Sequence, residues 1–235
     1  MNEEKKEIIS RKIVVPGELL VKGQMKPGVG TYARDGQIFA ATVGILNIHG
    51  NYVNVIPLSG KYIPRVGDVV IGKIIDVAPT NWLVDINAPY PAPLHITGTP
   101  WRIEMGETQK YLDIGDMVLC EVEAVDETKR VMVTMARPGC KKLTSGEIIE
   151  ITPTKVPRVI GKGGSMINLL KNYTRCRIFV GQNGRIWLEG NVEMIALAIL
   201  AIRKIEEESH LLGLTEAIKN FLEERTKTGT KSEGQ

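Results

Sequence analysis

The chain has 235 residues, 43% of them apolar and 24% charged, enough length and apolar content for two or three small domains with buried cores. A net charge of +3 does not by itself announce a nucleic-acid partner. No apolar run approaches the roughly 18 residues of a membrane span, and residues 1–11 lack the apolar core of a secretion signal. Cys120, Cys140 and Cys176 are widely spaced and odd in number, which excludes a disulfide framework and a paired zinc site. A cytoplasmic protein without metal, cofactor or membrane attachment is the expectation.

Past the charged lead, residues 12–57 read as short strands cut by turns. Pro16-Gly17, Lys22-Gly23 and Pro27-Gly28 end successive strands, and Asp35-Gly36 marks a hairpin. A small all-β domain is expected over residues 1–65. Gly28-Val29-Gly30-Thr31-Tyr32-Ala33 formally fits a dinucleotide-binding pattern. That pattern requires a strand before it and a helix after it. Here Pro27 precedes and a hairpin follows, so the match is read as accidental.

A second β-domain is expected over residues 66–143. It opens on Val66-Gly67-Asp68-Val69-Val70, and Ile114-Gly115-Asp116-Met117-Val118 repeats the phrase. Five short strands with a wide middle connection suit an OB barrel. Such barrels bind single strands by stacking bases on aromatics above a basic groove. Trp82, His95 and Arg130 are the candidates for that face, and barrel packing is the alternative for Trp82 and His95.

The third domain, residues 144–225, carries the clearest functional signal. Val159-Ile160-Gly161-Lys162-Gly163-Gly164-Ser165-Met166-Ile167 places a glycine turn with one lysine between two apolar helical segments. A corner so poor in side chains lets a sugar-phosphate backbone approach the main chain. The free amides and positive dipole end of the second helix favour a phosphate. The flanking order, a strand at 147–151, the two helices, strands at 177–181 and 185–189 joined through Asn183-Gly184, and a helix from Asn191, is β-α-α-β-β-α. That is the order of a type I KH domain, whose glycine loop clamps about four nucleotides. Seven Lys/Arg and no Asp or Glu fall between Lys155 and Arg185. Arg158, Ile160, Gly161, Lys162, Gly163, Gly164 and Ser165 are the expected RNA contacts, with bases lying over a groove beside Ile160 and Ile178. A last helix is expected over 211–225, then a disordered tail over 226–235.

In its order of domains the chain resembles the archaeal ribosomal RNA-processing protein 4 family, the RNA-binding cap subunits of the exosome. The motifs are Pro16-Gly17-Glu18-Leu19-Leu20, Gly28-Val29-Gly30-Thr31-Tyr32, the stretch from Tyr62-Ile63-Pro64-Arg65 to Gly72, Asp85-Ile86-Asn87 and Arg158-Val159-Ile160-Gly161. The resemblance implies a mainly β, multi-domain protein with a C-terminal α+β domain. It implies three cap subunits, of the same or a paralogous type, on a hexameric ring of two kinds of ribonuclease-PH-like subunit, with the first domain docking to the ring. The cap gathers single-stranded RNA, favours adenine-rich tails and leaves cleavage to the ring. The barrel resembles the ribosomal-protein-S-one type, in which a histidine, an Asp and an Arg line the RNA face; His95 in Leu94-His95-Ile96, Asp126 and Arg130 match. The aromatic pair of that type is replaced by Thr80-Asn81-Trp82-Leu83, where strand parity decides whether Trp82 faces RNA.

Two other readings remain at this point. A nuclease would need clustered carboxylates to hold metal ions, whereas the acidic residues fall in the lead, in barrel turns and on the solvent side of the last helices, Glu206, Glu207 and Glu208 among them. His49, His95 and His210 lie in unrelated contexts. A transcription-elongation factor would put a similar barrel before KH modules, usually two of them, and only one glycine loop is present.

Overall fold

The computed structural model describes residues 12–58, 60–209 and 213–229. It divides between Gly60 and Lys61 into two compact units.

The first unit is built from β1 (Ile13–Val14), β2 (Leu19–Lys22), β3 (Lys26–Pro27), β4 (Thr31–Arg34), β5 (Gln37–Ala40), β6 (Gly44–His49) and β7 (Tyr52–Pro57). They form two small sheets, β1-β6-β7-β3 and β2-β5-β4. Alternation along β5, β6 and β7 turns Ile38, Ala40, Leu46, Val53 and Val55 inward around Val14. Asp35 and Gly36 both take positive φ, 52° and 69°, the mirror-image turn that suits the twist of β4 and β5. A strand, not a helix, follows Gly30, so the dinucleotide pattern is indeed accidental. Gly30 is there because φ is +70° and a Cβ would stand 2.5 Å from the Val55 carbonyl oxygen.

In the second unit β8 (Val69–Val77), β9 (Asn81–Asp85), β10 (Ala92–His95), β11 (Met117–Val125) and β12 (Val131–Thr134) close a barrel in the order β8-β9-β10-β12-β11. The parallel pair β10–β12 seals it, and β11 returns to β8. A short α1 (Thr108–Tyr111) lies in the middle connection, and β13 (Lys141–Leu143) adds to β11. The repeated Gly-Asp phrases open the two long antiparallel strands. Gly67 N–H donates to Val122, Gly115 N–H donates to Ile74, and each Asp side chain receives an amide of its own turn. The barrel begins earlier than the expected residue 66, because Tyr62 is buried in its core and its hydroxyl donates to Asp68 at 2.6 Å. Its third strand starts at Ala92, with Pro93 paired opposite Leu83.

The KH half follows the expected order: β14 (Glu147–Glu150), α2 (Val156–Ile160), α3 (Ser165–Thr174), β15 (Arg177–Val180), β16 (Arg185–Glu189), α4 (Val192–Glu207) and α5 (Leu214–Gly229). Its antiparallel sheet runs β14-β16-β15. The Asn191 side chain accepts from Glu193 N–H and caps α4. Val159, Leu170, Ile186, Leu188, Ala198 and Ile202 form the centre of the core. Two expectations need correction. Helix α5 runs on through Gly229, so the tail cannot start at 226; its remainder, residues 230–235, lies outside the described residues, as does His210. Glu206 does not simply face solvent, for it accepts from the Thr152 amide at 2.7 Å and the Thr152 hydroxyl at 2.9 Å.

Barrel and KH sheet share one compact unit because the β15–β16 hairpin docks on β8 and β9. Ile71, Leu119 and Trp187 are buried together, with Phe179 packed against them. The fully buried Asn183 side chain donates to the carbonyls of Ile71, at 2.7 Å, and Ile86, at 2.9 Å. Arg185, 6% exposed, pairs with Asp85 at 2.5 Å and Glu150 at 2.8 Å and donates to the Asp85 carbonyl. Burial opposes ionisation of Asp85, but hydrogen bonds from Arg185 and the Asn87 amide, with the guanidinium charge, hold its carboxyl below the usual range.

Candidate nucleic-acid interface

The glycine corner is shaped by backbone angles. Gly161 ends α2 at φ 76°, ψ 169°, a region essentially reserved for glycine. A Cβ there would lie 2.7 Å from Met166 N and 2.8 Å from Ser165 Oγ. Lys162–Gly164 then make one tight turn, with Gly164 N–H donating to the Gly161 carbonyl. Gly163 (φ 60°) and Gly164 (φ 80°) are left-handed. A Cβ on Gly163 would meet open space within 4 Å, so this glycine leaves a clear approach to the main chain.

Below the corner, Val159, Met166 and Leu170 anchor both helices in the core. No side chain caps the N-terminus of α3; the Ser165 amide is used within the turn, on the Lys162 carbonyl, and the first-turn amides beyond it have no side-chain acceptor. Arg158, Lys162, Gly163 and Ser165 are exposed around this point, while Ile160 and Gly164 are half-buried. All seven residues expected to act together at the corner are therefore gathered there.

The basic surface is smaller than the sequence count suggests. Arg185 is buried against the barrel, and exposed Arg177 pairs with Glu189 at 3.1 Å. Arg158, Lys162, Lys171 and Arg175 remain as exposed cations. Ile178 also departs from expectation. It is 5% exposed and belongs to the core, so it cannot line a groove. Beside α2 and α3 runs the edge strand β15, with Ile160 as the accessible apolar wall.

On the barrel, Trp82 is fully buried and its indole N–H donates to the Leu112 carbonyl at 3.0 Å. It cannot stack on a base. Strand parity turns Trp82 and Val84 inward and leaves Asn81 and Leu83 on the outer face. His95 is exposed at the end of β10, where Nδ1 accepts from the Thr97 amide and lies 2.8 Å from the Thr97 hydroxyl. Asp126 is committed to the β11–β12 turn. The Thr128 hydroxyl and the Arg130 amide bond its carboxylate and hold it below the usual range. It therefore orients the turn that presents exposed Arg130. Because Leu94 pairs with Val133 in parallel, His95 lies level with Thr134. Arg130 lies four residues back, about 13 Å at the usual rise per residue. Met132, 47% exposed, stands between them. No local pattern marks this residue, whose outward position follows only from the register of β12. Among the described residues no cluster of three or more His, Cys, Asp or Glu side chains could hold a metal ion. No described helix is long and apolar enough to cross a membrane.

Three family models match the three parts in order: exosome RNA binding protein RRP4 N-terminal domain over residues 11–59, RRP4 S1 domain over 61–124, and KH domain over 146–208. Exosome complex component Rrp4 of Methanosarcina mazei is 49% identical over 214 residues, covering 91% of this chain and 82% of the relative. The chain belongs to the Rrp4 family. Its counterpart in Thermoplasma acidophilum is 46% identical over 215 residues, covering 91% of both chains, and that of Pyrococcus abyssi is 48% identical over 219, covering 91% of this chain and 83% of the other. A crystal structure described as an exosome complex RNA-binding protein superimposes with a TM-score of 0.66 at 42% identity, over 72% of this chain and 99% of that one. The Rrp4-family barrel is thus an S1 domain, and the glycine corner belongs to a KH domain.

Proposed function

We propose that this chain is the RNA-gathering adaptor of an exosome and leaves strand scission to other polypeptides. In this reading three cap subunits, of this type or mixed with a paralogue, sit on a cytoplasmic hexameric ring of two kinds of ribonuclease-PH-like subunit. They capture single-stranded RNA, adenine-rich tails by preference, and pass its 3′ end to phosphorolytic sites in the ring. Copies presented together raise avidity through effective concentration. The first unit is the ring-docking candidate. Within its short length Ile13, Val15, Val29, Tyr32, Tyr52 and Ile56 are all at least 43% exposed, an apolar density that favours a protein partner.

The observation that carries the reading is the open corner at Gly161–Ser165, with uncapped helix amides, Lys162 and Arg158 around it. Phosphates would be held by the loop amides and the two cations, and bases would lie along Ile160 beside the edge of β15. His95 and Arg130 would extend the path on the barrel. Gly163→Asp tests it. The Cβ has room and Asp tolerates the left-handed angles, so the melting temperature should move little. A carboxylate facing phosphate should weaken RNA binding at least about tenfold. Unchanged affinity in a fluorescence titration would reject the corner. Failure of the purified chain to associate with a ribonuclease-PH-like ring would reject the adaptor role.

A further inference from the structure

Neither the glycine corner nor the barrel's outer face uses a cysteine, and Cys120, Cys140 and Cys176 are all free thiols. Strand register brings two of them together. β12 leaves the edge of β11 with Thr134 opposite Glu121. The chain returns to that edge in β13, with Lys141 opposite Leu119, Lys142 opposite Val118 and Leu143 opposite Met117. One step back along this ladder sets Cys140 opposite Cys120. Directly opposed residues of an antiparallel pair point to the same face, with Cα atoms about 4.5–5.5 Å apart. A disulfide spans roughly 4.4–6.8 Å between Cα atoms, so the pair is within reach. Packing agrees. Cys120 is fully buried in the barrel core, and half-buried Cys140 packs against the same cluster. The Cys120 thiol makes only a weak contact, donating to the Val70 carbonyl at 3.8 Å. Cys176 lies apart, in the KH core. β13 also begins the connection from barrel to KH domain. Lys142 pairs with Asp116 at 2.5 Å, Lys141 stands 5.0 Å from the centre of the Trp187 ring, and the Ser145 carbonyl accepts from the Trp187 indole at 2.6 Å.

We propose that Cys120 and Cys140 form a reversible disulfide that ties this connection to β11 when the surroundings turn oxidising. The pairing stands whether or not the chain is an RNA adaptor. The oxidant is a low-molecular-weight disulfide. Cys140, the more accessible of the two, attacks one of its sulfurs as the thiolate and forms a mixed disulfide. The first small thiol leaves and takes up the proton that Cys140 lost. Cys120 then turns from Val70 and attacks the Cys140 sulfur as the thiolate. The second small thiol leaves with the proton that Cys120 lost. Two protein thiols are oxidised by two electrons, and one small disulfide is reduced to two thiols. Burial raises the Cys120 thiol, and burial followed by the Glu121 carboxylate raises that of Cys140. Thiolate is therefore scarce, and closure belongs to the scale of hours.

The test incubates the full chain overnight with excess oxidised glutathione and counts thiols after denaturation. The count should fall from three to one, peptide mapping should show Cys120 linked to Cys140, and dithiothreitol should restore all three. A cross-link closing a loop of about twenty residues should raise the melting temperature by about 6 °C, and reduction should return it. In Cys120→Ala the reaction should stop at one glutathione held on Cys140. In Cys140→Ser both remaining thiols should survive. Three surviving thiols in the unmutated chain, a lasting glutathione adduct there, or a cross-link that includes Cys176 would each overturn the pairing. A Cys120–Cys140 cross-link that leaves the melting temperature unmoved would overturn its role as a tie.

Discussion

At the scale of single residues, neighbouring glycines of one loop do different jobs. Gly163 leaves space, whereas Gly161 is required by the backbone. Gly161→Ala should therefore cost about 3 kcal/mol, from a glycine-only conformation plus a Cβ contact with Met166 N. Gly163→Ala should cost only about 1 kcal/mol, the ordinary penalty of a left-handed residue. Urea denaturation of the two variants checks the contrast, and equal losses would show that the crowding at Gly161 is relieved by local movement. Trp82 teaches the reverse lesson. A tryptophan in a barrel strand is readable as a binding aromatic or as core. Only the partner of its indole N–H, the Leu112 carbonyl, decides between them.

At the scale of elements, hairpins and helix ends followed their local signals closely. Asp35-Gly36 made the expected turn, Asn191 capped α4, and β16 occupies Arg185–Glu189 as the periodicity implied. The β15–β16 loop was only half legible. Asn183-Gly184 reads as a turn, and Gly184 does take φ +85°, but the asparagine side chain is spent on the barrel. Asn183→Ala would leave the buried Ile71 and Ile86 carbonyls short of a donor, at a cost of about 2 kcal/mol. Gln182→Ala, at an exposed side chain of the same loop, should be neutral. Chemical denaturation of both separates a docking role from a turn-forming one, since the second would make both substitutions matter.

At the scale of the whole molecule, the chain divides once, after Gly60, although three parts are legible in the sequence. The KH domain and barrel are joined by Arg185, whose two carboxylate partners come from both sides, Asp85 and Glu150. This predicts a pH dependence. The folded Asp85 carboxyl titrates below its ordinary value. Its contribution is therefore complete above the unfolded pKa of about 4 and is lost as pH falls through the lowered folded value. Unfolding free energy should drop below about pH 4, and Asp85→Asn should flatten that drop while lowering stability at neutral pH. A pH profile identical to that of the unmutated chain would remove Asp85 from the acid response.

The sequence alone determined the order of domains, the strand and helix periods, the mirror-image turn and the glycine corner. Each is a demand of backbone angle or side-chain alternation met within a few residues. Tertiary structure decided which way Trp82 faced, that Ile178 and Arg185 were buried rather than presented, and that the register of β13 sets Cys140 opposite Cys120. Asn183 bonds residues 97 and 112 positions away, and Arg185 reaches a carboxylate 100 positions away. The destination of a side chain depends on partners supplied by the closed barrel, and no local pattern carries that information.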